Sequence, residues 1–230
     1  MTPIVLVPGL LCSAEAFASQ IAALWPFGPV MVASTLAGEA MDEMATSILR
    51  HAPPRFALGG ISMGGYVCME IMRQAPDRVA RLALLSTSAR PDTPEQSERR
   101  RAMLRQARES DFAAWVEEVL TSIMHPSRQA DAGLRAVNRR MGTAVGLAGF
   151  ARQTEAAIRR PDSRSSLTAI RVPTLVLVGD SDALIPPEHS QEIASLIPGS
   201  KMVVIPNCGH SSALEQPDLV SSALTTWMQS

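Results

Sequence analysis

The sequence predicts an α/β fold: a doubly wound, mostly parallel sheet of about six strands flanked by helices, with a helical cap inserted in it. Three observations predict this. Short apolar runs rich in Val, Ile and Leu recur without polar alternation, as strands covered on both faces do. Stretches of helical periodicity separate them, and strand–helix alternation builds βαβ units. The 230 residues, 46% of them hydrophobic, suffice for one such domain with a sizeable core.

The strands are expected at 4–8 (IVLVP), 30–34 (VMVAS), 56–61 (FALGGI), 82–87 (LALLST), 174–180 (TLVLVGD) and 201–206 (KMVVIP). Helices are expected near 14–24, 40–51, 64–74, 188–196 and 213–228. One interval breaks the rhythm. Residues 90–164 contain no convincing strand and read as helices near 95–108, 111–124, 128–142 and 147–159. This segment holds 14 Arg against 10 Asp and Glu, so it is mildly basic while the rest is acidic. It divides the chain into a core, 1–89 and 165–230, and a cap, 90–164. Seventy-five residues are a long detour between neighbouring strands. Placed at the carboxyl edge of the sheet, where α/β folds bind ligands, the insertion is expected to act as a lid.

Net charge is −1, with twenty Arg and one Lys, Lys201. That balance favours neither nucleic acid nor an anionic membrane as partner. Cys12, Cys68 and Cys208 cannot all pair within one chain, and none shows metal-ligand spacing. They read as reduced thiols of a cytoplasmic protein. The apolar opening lacks a basic n-region and is broken by Pro8-Gly9, so it is not read as a targeting signal. No segment is long and apolar enough to span a membrane.

The stretch LGGISMGGYVCMEIMRQ, residues 58–74, raises the functional question. Gly60-Ile61-Ser62-Met63-Gly64 matches G-x-S-x-G between an expected strand and an expected helix. A nucleophile there must stand proud of the sheet on a tight turn, and glycines on either side let the strand and helix backbones approach. The helix that follows aims its free N–H groups and positive end at the serine. The alternative is a Gly-rich turn with a capping serine.

A serine hydroxyl needs a base, and the base needs an orienting acid. Of four histidines, His51, His125 and His189 read as surface or capping residues. His210 instead follows the last strand in VVIPNCGHSSALEQP, on a loop beside Gly209. The loop after strand 174–180 offers Asp180 and Asp182. Asp180 is expected to close the turn by accepting backbone N–H groups, leaving Asp182 as the acid. The order Ser62, Asp182, His210 is that of an α/β-hydrolase triad. Backbone N–H groups of Met63, directly after the nucleophile, and of Leu10, where Gly9 turns the chain, are the expected oxyanion donors.

In the insertion, Leu104, Phe112, Trp115, Met124, Leu147 and Phe150 either line an apolar acyl pocket or form the seam between cap and core. Arg152, beside Gln153, either faces the pocket, where it would pair with a substrate carboxylate or an acyl-carrier phosphate, or faces solvent. Cys208 either sensitises the site to thiol reagents or is a small buried filler.

The pieces VLVPGL, GGISMGGYVCMEIMRQAPDRVARLALLSTSA, VPTLVLVGDSDALIPP and IPNCGHSSALEQP resemble the α/β-hydrolase superfamily nearly end to end. The chain is similar to its small, single-domain carboxylesterase-like branch with a helical cap. It departs from the pattern at Pro8-Gly9, where relatives carry His-Gly, and at ASTLAGEAMDEM, which lacks most of their D-x-x-G-x-G-x-S loop. The resemblance implies a serine hydrolase that cleaves esters, with thioesters as a further class, of small or medium acyl groups through an acyl-enzyme. It implies no cofactor and no metal, a small-molecule ester as substrate and an acyl carrier as a candidate partner. The alternative it carries is a lyase or C–C hydrolase using the same triad for proton abstraction, and a silent binding module stands as a third reading.

Overall fold

The computed structural model describes all residues, Met1–Ser230. Six strands form one sheet: β1 (Ile4–Val7), β2 (Val30–Val32), β3 (Phe56–Ile61), β4 (Val79–Leu85), β5 (Thr174–Gly179) and β6 (Lys201–Ile205). Every pairing is parallel, in the order β2-β1-β3-β4-β5-β6. The chain steps outward from β1 to β2, then returns past β1 to β3. The carboxyl ends of β1 and β3 therefore flank the switch point where such sheets open a ligand crevice.

Ten helices accompany the sheet: α1 (Ala18–Leu24), α2 (Met41–His51), α3 (Met63–Gln74), α4 (Pro94–Glu109), α5 (Phe112–Ser122), α6 (Ala132–Ile158), α7 (Arg164–Leu167), α8 (Pro187–Leu196), α9 (Ser212–Glu215) and α10 (Pro217–Gln229). Period-two alternation in β1 sorts its side chains between two apolar layers. Val5 and Val7 pack with α2, α3 and α8 through residues such as Met44, Val67 and Ile193. Ile4 and Leu6 pack with α1 and α10 through Leu24, Val220 and Trp227. The central strands β1, β3 and β5 are buried along their whole length, which is why their sequences run apolar without alternation.

The three long helices between β4 and β5, α4 to α6, begin on explicit caps. Thr93 and Gln96 form a reciprocal capping box at α4, and the Asp111 and Asp131 carboxylates accept the first free N–H groups of α5 and α6. The expected helices 128–142 and 147–159 are a single run with one break, at Gly146, whose φ of 68° is left-handed. The expected helix 213–228 is divided in two, with Pro217 opening the second part. The segment expected as helix from residue 14 starts as a short 3-10 turn, Ala14–Phe17. No helix is long and apolar enough to cross a membrane.

Candidate active site

Ser62 sits between β3 and α3 with φ 55° and ψ −119°, a conformation costly for a residue with a side chain, by about 1–3 kcal/mol. The surroundings hold it there: its N–H donates to Leu85 O at 2.9 Å, and Thr87 Oγ1 donates to its carbonyl at 2.8 Å. A Cβ on Gly60 would run into the Gly64 carbonyl, and one on Gly64 into the Val7 carbonyl. The glycines of the motif are thus demanded by strand–helix approach, as their spacing implied.

The structure brings the three separated side chains together. His210 Nε2 lies 2.8 Å from Ser62 Oγ, and His210 Nδ1 lies 2.8 Å from Asp182 Oδ2. His210 is 4% exposed and Asp182 2%. A carboxylate only accepts hydrogen bonds, so the proton of the neutral ring belongs on Nδ1 and the Nε2 lone pair faces the hydroxyl. The other oxygen of Asp182 accepts N–H groups of Leu184 and Ile185, which fixes the carboxylate plane. Asp180 instead accepts the N–H groups of Asn207 and Cys208. The loop after β5 thus divides its two acids between the turn and the histidine.

The turn after β1 carries Leu10 to the same place. Its N–H has no acceptor in the protein, and the Met63 N–H, first in α3, has none within the helix. The expected role of Gly9 in that turn is corrected: the left-handed residue is Leu11, with φ 61°, and the turn closes from Cys12 N–H to Gly9 O at 3.2 Å. What pins Leu11 is Gln153, fully buried on α6. Its Oε1 accepts the Leu11 N–H at 3.0 Å while its Nε2 donates to Thr35 Oγ1 at 2.9 Å.

A cavity of about 300 Å³ opens over Ser62. Leu10, Met63 and His210 line it from the sheet side, and Met103, Val119, Met141 and Phe150 from α4, α5 and α6. Of the apolar insertion residues expected at an acyl pocket, Phe150 alone lines it. Trp115 does not line the cavity; it meets Phe150 in a tilted pair at 5.2 Å between ring centroids, stacks on Phe112 at 6.2 Å, and serves the seam. Arg152 also lies outside the cavity, because the helix turns it outward, where its Nε donates to Leu36 O at 3.2 Å. The next residue, Gln153, takes the inward position.

Sequence reading assigned His189 to the surface. The structure puts it on the cavity wall, where its Nδ1 lies 2.9 Å from Ser88 Oγ. Burial, aided by the charge of Arg90, lowers its pKa and favours the neutral ring. His51 bonds Ser47 O, and His125 caps a 3-10 turn by accepting the Ser127 N–H. Cys208 is wholly buried and burial raises its thiol pKa, the behaviour of a filler. Burial also pushes the Cys12 thiol, at the cavity wall, up to about 12. No group of three or more His, Cys, Asp or Glu is placed to hold a metal ion.

Comparison with known proteins places the fold. A family model for the alpha/beta hydrolase fold matches residues 39–217. A thermophilic esterase from Thermogutta terrifontis, solved with malate bound, is 32% identical and superposes with a TM-score of 0.87 over 100% of this chain and 90% of that one. The enol-lactonase from Burkholderia xenovorans LB400 is 25% identical, with a TM-score of 0.89 over 100% of this chain and 92% of that one. A curated relative, the pimeloyl-[acyl-carrier protein] methyl ester esterase of Aliivibrio salmonicida (strain LFI1238), is 28% identical over 82% of this chain and 74% of its own length. With the parallel sheet, the serine turn at the end of β3 and the family match spanning most of its length, the chain belongs to the α/β-hydrolase fold family.

Proposed function

We propose that the chain is a serine hydrolase that cleaves carboxylic esters of small or medium acyl groups through a covalent acyl-enzyme. The observation that carries the reading is the unbroken hydrogen-bond path from Ser62 Oγ through both nitrogens of His210 to Asp182, each link 2.8 Å, at the floor of a mostly apolar cavity. Its similarity to an esterase, a lactonase and a methyl ester esterase, all of which act on ester bonds, supports the same chemistry.

In the proposed reaction His210 Nε2 takes the Ser62 proton as Oγ attacks the carbonyl carbon. The negative charge that develops on the carbonyl oxygen is held by the Leu10 and Met63 N–H groups, each worth about 3–4 kcal/mol when well aimed. The imidazolium, stabilised by Asp182, then protonates the leaving alcohol, and the acyl group stays on Ser62. Water enters, loses its proton to the same Nε2, and the acid leaves as the serine is restored. The steps require acid–base and nucleophilic groups only, and no cofactor is assigned. Thioesters suit the same path, and the acyl-carrier substrate of the Aliivibrio relative makes a carrier-bound acyl group a candidate.

A fluorophosphonate probe with a p-nitrophenyl ester assay tests this. Labelling of Ser62 together with ester turnover is expected, and Ser62→Ala is expected to lower kcat by about 10⁶-fold. Near-wild-type turnover by that variant refutes the assignment. Labelling without turnover of any ester favours a lyase on the same triad, and a folded protein that neither labels nor turns over is a binding module.

A further inference from the structure

One end of the cavity takes no part in the triad chemistry, and its charge is one-sided. Arg90, Arg99, Arg100 and Arg160 line the cavity, and no Asp, Glu or Lys does. Arg90 is already engaged, its Nε and Nη2 donating to Glu192 at 2.9 and 3.1 Å. Arg100 and Arg160 share a single carboxylate. Asp92, its side chain wholly buried, accepts from Arg100 Nε at 2.7 Å and from Arg160 Nη1. One negative charge set against two positive ones leaves the wall with a surplus, in a place where the Arg160 side chain is only 6% exposed. Arg160 is held further by the Arg90 and Ala157 carbonyls and by the Tyr66 ring, 4.3 Å from its guanidinium carbon. It is scaffold. Asp92 takes only the Nε and Nη2 of Arg100, with the Tyr66 hydroxyl as a further polar neighbour of its guanidinium, and Arg99, exposed on the same turn of α4, has no carboxylate partner at all.

A surplus guanidinium charge in a partly desolvated wall attracts an anion more strongly than the same charge in water. Its planar donors also match a carboxylate bidentately. The distance suits a single substrate. Ser62, Tyr66, Arg99 and Arg100 line the same cavity; Tyr66 lies four residues past Ser62 on α3, about 6 Å along the helix axis, and the guanidinium over its ring is that of Arg160, which shares Asp92 with Arg100. We infer that the ester this site takes carries a carboxylate remote from the scissile carbonyl, and that Arg99 and Arg100 form the subsite that holds it. This rests on the hydrolase reading and narrows its substrate class to small anionic esters.

The test is a pair of ratios of kcat/KM. For an anion on the acyl side, the monomethyl ester of a linear dicarboxylic acid is compared with the dimethyl ester of the same acid. For an anion on the alcohol side, the acetate ester of a hydroxycarboxylic acid is compared with its methyl ester. One ratio is expected to favour the charged substrate by about tenfold or more, the worth of a charge-assisted hydrogen bond. Which one does so assigns the side. Arg99→Gln, on an exposed helix face, is expected to bring that ratio down severalfold, and Arg100→Gln to bring it close to one. Arg101→Gln, which does not line the cavity, is expected to keep it. Equal turnover of charged and neutral esters in both pairs overturns the subsite and leaves the hydrolase standing. A strong preference untouched by Arg99→Gln and Arg100→Gln overturns it too, since the anion is then read elsewhere. Turnover of none of the four esters, by protein that melts cooperatively, counts against the hydrolase reading itself, and the subsite falls with it.

Discussion

Asp180 and Asp182 stand two residues apart on one loop, and their surroundings give them opposite work. Asp182 is buried against His210, whereas Asp180 is exposed and braces the turn between β6 and the histidine loop. Desolvation pushes the Asp180 carboxyl up, but the N–H groups of Cys208 and Asn207 and the Ser181 hydroxyl more than offset this and hold its pKa below the ordinary value. A carboxyl whose native pKa is depressed adds stability above its unfolded pKa of about 3.9 and loses it as pH falls. Asp180→Asn is therefore expected to cost about 1 kcal/mol at neutral pH, a modest figure because solvent screens the group, with the deficit shrinking below about pH 4. Its kcat should stay within about tenfold of wild type. Asp182→Asn should lower kcat by about 10⁴-fold, because an amide no longer fixes the histidine tautomer. Urea melts and initial rates of the two variants check this. An Asp180→Asn enzyme as inactive as Asp182→Asn would reverse the assignment.

At the scale of elements, the loop bearing His210 is held by a residue that none of the triad logic requires. Glu215, 2% exposed at the end of α9, accepts the N–H groups of Gly209 at 2.9 Å and Ser211 at 2.8 Å, bracketing the histidine on both sides. The same carboxylate accepts the His125 N–H at 2.8 Å, and the His210 N–H donates to Ile123 O at 3.0 Å, so the segment after α5 is tied to the histidine loop. Glu215→Gln replaces an acceptor by an NH₂ group facing a backbone donor. It is expected to lower kcat by about 10- to 100-fold with a smaller change in KM, as a displaced base would. Labelling of Ser62 by a fluorophosphonate, well below the variant's melting temperature, separates this from simple loss of stability. A wild-type labelling rate would leave Glu215 a purely structural residue. The meeting of Ser62, Asp182 and His210 was legible in the sequence because each follows a strand end with recognisable local chemistry: a glycine turn, an acidic loop, a Gly-His pair. Glu215 had a local signal as well, an acid five residues past the histidine in a turn with no other charged residue, though nothing local showed that it was buried. Gln153 had none. Its bond to Leu11 crosses 142 residues of sequence. Adjacent helix residues point about 100° apart, and the break at Gly146 resets the phase, so the pattern could not say whether Arg152 or Gln153 faced inward.

For the whole molecule, six strands and the order of elements could be read from uninterrupted apolar runs, because a parallel sheet buried on both faces leaves that signature in each strand. The arginine-lined wall could not, because Arg90, Arg99, Arg100 and Arg160 meet only after α4 and the end of α6 fold against each other. The division into core and cap is the reading that the packing most qualifies. Val116, Leu120, Met141, Val145 and Phe150 of the inserted helices share one apolar cluster with Ile4, Leu6 and Leu85 of the sheet, and Gln153 of α6 holds the turn after β1. A cap bound in this way should not melt by itself. The tryptophans allow a direct check, since Trp115 lies in α5 while Trp25 and Trp227 lie with the core elements. In a Trp25→Phe, Trp227→Phe variant the fluorescence reports the inserted helices alone, whereas far-UV circular dichroism reports the whole chain. The two thermal transitions are expected to coincide. Phe150→Ala, which hollows the shared cluster, should cost about 3–5 kcal/mol and move both transitions down together, by roughly 6–20 °C for a chain of this length. A Trp115 signal that melts well before the circular dichroism, or a Phe150→Ala effect confined to that signal, would make the inserted helices a separate unfolding unit. The cavity would then lie under a lid that opens by local melting, where coincident transitions would restrict opening to shifts of packed helices.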